Sequence, residues 1–127
     1  MATKISTKSL ETVTNYEPGL NQWFGITDET TDTKMGTIIR VQVPPQVKSK
    51  FHCHENADMF FYVISGTVEW EIGEKKEKMT LEADDFIYVP RGEVHNTYNP
   101  SETENCEALG GYFGCSNPFK SGKIFAE

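Results

Sequence analysis

Apolar and polar residues alternate with period two along much of this chain. Ile39, Val41 and Val43 fall on one face of an extended segment, with Arg40 and Gln42 on the other. Val68, Trp70 and Ile72 alternate with Glu69 and Glu71 in the same way. Period two with one apolar face predicts half-buried antiparallel strands. Further short apolar runs cover residues 60–64, 86–89, 94–98 and 108–113. Turn signals separate them: Pro44-Pro45, Ser65-Gly66, Pro90-Arg91-Gly92, Asn99-Pro100 and Asn117-Pro118. The charged stretch 73–78 predicts a hairpin tip. Helical periodicity is scarce, so the pattern predicts an all-β sandwich or small barrel. No linker, repeat or low-complexity segment divides the chain, and a single domain over 1–127 is expected. Residues 1–15 are weakly patterned and fit an edge strand, a dimer-swapped arm or loose chain.

Composition narrows the function classes. The 127 residues are 37% hydrophobic and 12% aromatic, enough to build one packed core rather than a disordered chain. The net charge of −7 comes without a basic cluster, which argues against nucleic acid or an anionic membrane as partner. No run of about 20 apolar residues is present, so no membrane-spanning helix is expected. The first residues lack the apolar core of a secretory signal. The three cysteines, at 53, 106 and 115, are odd in number and form no CxxC. No disulfide framework is expected, and a reducing cytoplasm fits.

The chemistry concentrates in three histidines. His52 and His54 flank Cys53, and His95 ends the run Pro90-Arg91-Gly92-Glu93-Val94-His95. Side chains at i and i+2 of a strand point to one face. The pair therefore aims two imidazoles at one point, and a third from a neighbouring strand completes one face of a coordination sphere. Imidazole suits iron, zinc, copper and nickel. The same pleat turns Cys53 away.

These residues carry a family resemblance. Two segments resemble the paired motifs of the cupin superfamily. The first runs from Gln46 to Gly66, with His52 and His54 in the histidine slots. The second runs from Asp84 to Asn99 and matches at Pro90, Gly92, His95 and Asn99. The resemblance spans roughly residues 35–115 and implies a cupin-type β-barrel, a double-stranded β-helix or jelly roll. It also implies a homodimer. Gln46 and Asp84 stand where the motifs usually carry glycine, a change expected to alter only loop geometry.

A larger departure concerns the usual glutamate ligand, whose slot holds Met59. Either Asp58 slides in as an oxygen ligand, which needs a bulge to turn it inward, or the glutamate is absent. The second reading is preferred here, giving a three-histidine site with Met59, Phe61 and Val63 lining the pocket. Such a set leaves about three positions of an octahedron open on one divalent transition metal. The resemblance to three-histidine cupins implies iron(II) and a dioxygenase acting on a small polar substrate. Zinc, nickel, manganese or copper are alternatives, with the metal as Lewis acid of a lyase, isomerase or cyclase. A non-catalytic small-molecule binder is the third reading. Tyr62, Tyr98 and Tyr112 are weighed as proton donors, and packing explains each as well. Arg40 suits a substrate carboxylate or the solvent face of its strand. Glu55 and Glu93 neighbour the histidines and read more simply as solvated loop residues.

Overall fold

The computed structural model describes residues 1–126, and its regular structure is almost entirely β. Ten strands follow in chain order. They are β1 (Asn21–Ile26), β2 (Gly36–Val43), β3 (His52–His54), β4 (Asp58–Ser65) and β5 (Val68–Ile72). Then come β6 (Glu77–Leu81), β7 (Phe86–Val89), β8 (His95–Tyr98), β9 (Cys106–Phe113) and β10 (Lys123–Phe125). They form two five-stranded antiparallel sheets, ordered β1-β2-β9-β4-β7 and β10-β3-β8-β5-β6. Two single-turn 3-10 helices complete the regular structure.

The alternation read from the sequence holds. Ile39, Val41 and Val43 are buried, whereas Arg40 turns outward to pair with Glu107 at 2.9 Å. Val68 and Trp70 enter the core, and Glu71 faces out to Lys48 at 2.9 Å. The six apolar segments all become strands. β6 begins at Glu77, inside the expected hairpin tip, and has only Leu81 buried. Its exposed charges suit a sheet edge, where they discourage pairing with another chain.

The core lies between the sheets. Trp70 is 1% exposed and packs on Phe61 at 5.1 Å and on His95 at 5.6 Å between ring centroids. Truncating such a residue to alanine costs about 3–5 kcal/mol. Gly66 shows why its turn needs glycine: its φ is +85°, and a Cβ would stand 2.7 Å from the Asn105 carbonyl oxygen. All three cysteines are free. No helix among the described residues is long and apolar enough to cross a membrane.

Residues 11–20 are neither loose chain nor a regular edge strand. Val13 forms one bridge with Gln22, and the segment then turns through residues 15–19. Tyr16, Glu17 and Leu20 are buried against the barrel.

Candidate metal centre

Three elements bring the histidines together. His52 and His54 flank Cys53 on β3 and are both buried, while Cys53 is only half-buried on the other face. β8 runs antiparallel to β3 and sets His95 directly opposite His52. The Pro90–Gly92 turn holds this arrangement: Gly92, at φ +83°, donates its N–H to the His54 carbonyl at 2.8 Å. One ligating nitrogen from each of the three rings lies within 4.8 Å of the other two.

The ring nitrogens are sorted by their partners. His52 Nδ1 lies 2.6 Å from the Lys50 carbonyl oxygen, and His95 Nδ1 lies 2.9 Å from that of Glu93. A carbonyl only accepts, so both Nδ1 atoms carry the proton. In the neutral ring Nε2 is then a bare acceptor. His95 Nε2 and His54 Nδ1 are buried without a hydrogen-bond partner among the described residues. Burial holds the rings neutral, pushing His52 down to about 4, His54 to about 3 and His95 to about 4. Buried acceptor lone pairs without partners are costly. Two of them beside a third imidazole fit a cation, and the backbone contacts at Nδ1 orient His52 and His95 as in metal sites generally.

Behind His54 runs a line of hydroxyls. The Tyr112 hydroxyl lies 3.2 Å from His54 Nε2 and 2.9 Å from the Tyr16 hydroxyl. The Tyr16 hydroxyl lies 2.9 Å from Ser121 Oγ. Burial pushes Tyr16 up to about 12 and Tyr112 well above the usual phenol range, so both stay protonated. On the other side stands the carboxylate of Glu17, 3.1 Å from His52 Nε2 and 2.5 Å from Lys123 Nζ. Desolvation raises Glu17, and Lys123 opposes that shift.

A narrow cavity opens beside His52 and His95, with about 30 Å³ of room for water centres. Met59 and Phe61 line it, together with Leu20, Gln22 and Tyr112. Gly110 also lines it and adds no side chain, which leaves the space open. Four other candidates lie elsewhere. Val63 is fully buried in the core and does not line the cavity. Asp58 faces outward, where its carboxylate accepts from the Arg91 backbone N–H at 3.0 Å. The bulge that would have turned Asp58 inward lies beyond Val63 instead. Tyr62 donates to Asp84 at 2.5 Å on the outer surface. Arg40 is held by Glu107 and backbone carbonyls. Glu17, Tyr16 and Lys123 were not singled out from the sequence. The signal for Tyr16 and Glu17 was the apolar spacing Val13, Tyr16, Leu20 around the turn Pro18-Gly19.

The pattern of the Cupin domain family matches residues 39–110. The chain belongs to the cupin family. No curated protein matches the sequence. Among solved structures, the polyketide cyclase RemF from Streptomyces resistomycificus is similar at a TM-score of 0.76 and 16% identity. That likeness covers 89% of this chain and 80% of RemF. Streptomyces Pac13, a nucleoside dehydratase solved with uridine, is similar at a TM-score of 0.79 and 15% identity. It covers 100% of this chain and 92% of Pac13. A double-stranded β-helix protein from Klebsiella pneumoniae reaches 0.75 at 19% identity, over 100% of this chain and 99% of its own. At such identities the likeness shows the shared cupin barrel.

Proposed function

We propose that this cupin is a metal-dependent enzyme in which one divalent transition metal, held by His52, His54 and His95, acts as Lewis acid on a small polar substrate. The observation that carries this reading is the convergence of buried, neutral imidazole nitrogens on one point beside a cavity. When bound, the metal polarises an oxygen of the substrate.

The remaining roles belong to the protein. Tyr112 lines the cavity, and its hydroxyl stays protonated and touches both His54 and Tyr16. In this reading it gives a proton to a leaving oxygen and recovers one through Tyr16 and Ser121. Trp70 and Gln22 also line the cavity, and among the described residues Trp70 Nε1 and Gln22 Oε1 are buried without partners, one a donor and the other an acceptor. Leu20, Phe61 and Met59 keep bulk water away. Elimination, cyclisation or isomerisation needs this combination of proton transfer and oxygen polarisation. RemF is a cyclase and Pac13 a dehydratase on the same barrel, which supports the reading.

An iron(II) dioxygenase is the second reading, favoured by the three-imidazole set and the apolar cavity wall. Turnover of small hydroxycarbonyl compounds under argon and under air separates the two. Equal turnover without oxygen supports the Lewis-acid enzyme. Turnover that stops under argon and consumes oxygen in air replaces it with the dioxygenase.

The homodimer belongs to the same proposal. The outer face of the first sheet carries exposed Phe86, Tyr88 and Phe113, with Phe60 5.2 Å from Phe113. Sedimentation of the wild type and of Phe86→Lys tests it, and a monomeric wild type overturns it. A cytoplasmic location is supported by the three free thiols.

A further inference from the structure

We propose that Glu17, carried by the N-terminal arm, is a fourth ligand of the metal and supplies the oxygen donor that Met59 cannot. The inference rests on the metal-centre reading above and adds a residue outside both cupin motifs.

The first observation is a close contact between a carboxylate and one of the three imidazoles. His52 Nδ1 faces a carbonyl and must carry the ring proton, so Nε2 is a bare acceptor. Glu17 Oε1 lies 3.1 Å from that Nε2. With a neutral His52 ring the two acceptors are held together by a cation between them, and with an imidazolium by a proton; the ammonium of Lys123 lies 2.5 Å from the same carboxylate oxygen.

The second observation is the distance itself. Donors that share one metal at about 2.0–2.2 Å each stand roughly 2.9–3.4 Å apart for right-angled to tetrahedral arrangements. The 3.1 Å between Glu17 and His52 falls in that range.

The third is burial. Glu17 is 6% exposed and lines the same cavity as His52 and His95. A carboxylate so placed needs strong partners, and Lys123, which pairs with it, also reaches the Tyr16 carbonyl oxygen. The barrel strand that ordinarily offers glutamate offers a thioether at Met59 instead. The arm brings the carboxylate back from outside the barrel, and Leu20 on that arm lines the cavity.

The test is titration of chelator-treated full-length protein with cobalt(II), read by its visible absorption and by calorimetry. Wild type, Glu17→Gln, Lys123→Met and His95→Ala are compared, with circular dichroism to check folding. Glu17→Gln is expected to weaken binding at least ~10-fold, the lower end of what even an outer-shell change costs, and to change the cobalt spectrum. Lys123→Met is expected to keep the wild-type spectrum, because it removes an arm contact and not a ligand. Wild-type affinity and spectrum in Glu17→Gln, with binding lost in His95→Ala, would overturn the inference and leave the three-histidine centre standing. Equal losses in Glu17→Gln and Lys123→Met would also overturn it, reducing Glu17 to an arm anchor. No binding by the wild type would overturn both.

Discussion

His52 stands directly opposite His95 in the register pair that joins β3 to β8. Their ring centroids are 4.4 Å apart, and each ring is fixed by a backbone carbonyl at Nδ1. The same pairing closes the sheet and builds the centre, so the site is as rigid as the barrel. His52→Ala and His95→Ala are each expected to lower metal affinity more than ~100-fold, beyond the 10–100-fold typical of outer-shell changes. Calorimetric titration of folded variants checks this.

Tyr112 touches His54 without being one of the three imidazoles. Tyr112→Phe keeps the ring packing and removes the hydroxyl. Metal affinity is expected to fall by no more than ~10–100-fold, so excess metal restores loading. Turnover at full loading is expected to stay ~10²–10⁴-fold lower, the range of a lost proton donor. Recovery of turnover with loading would make Tyr112 a positioning residue only.

Met59 lines the cavity with His52 and His95. Met59→Glu is expected to preserve or raise metal affinity, and to restore it in a Glu17→Gln background. Loss of metal loading in the single variant would show that Met59 does not face the metal.

The neutral histidines set a pH dependence in the metal-free protein. Their folded values, about 4, 3 and 4, lie below the ordinary 6.5. As pH falls below 6.5 the unfolded chain takes up protons that the folded chain refuses. Stability therefore rises with pH across this window and is lost as pH falls from about 6.5 towards 4. Urea midpoints of chelated protein at successive pH values check the sign. A midpoint unchanged from pH 7 to pH 5 would contradict it.

Most of the fold and half of the site were legible in the sequence, for local reasons. Strand alternation is a period-two pattern, and Ile39, Val41, Val43 and Trp70 obey it. The HxH pair follows from the pleat, and His95 from the second motif, in which it is the histidine. Gln46 and Asp84 show a subtler outcome. Both adopt positive φ, 63° and 73°, the region that glycine favours. Their side chains offset the strain: Gln46 donates to the Pro100 carbonyl at 2.8 Å, and Asp84 accepts from Tyr62. Glu17 was not legible. Its neighbourhood is built by long-range contacts, among them β10, a three-residue strand that pairs with β3 and sets Lys123 against it. No periodicity announces so short a strand. Asp58 was ambiguous because bulges cannot be read from spacing, and β4 places its irregularity after Val63.

The central claim is that the three histidines hold a metal, and elemental analysis of purified protein tests it most directly. The account predicts about one equivalent of a divalent transition metal per chain, absent from the His52/His54/His95→Ala triple variant. A folded wild type that holds no metal, even after incubation with iron, zinc, nickel and manganese, would contradict it.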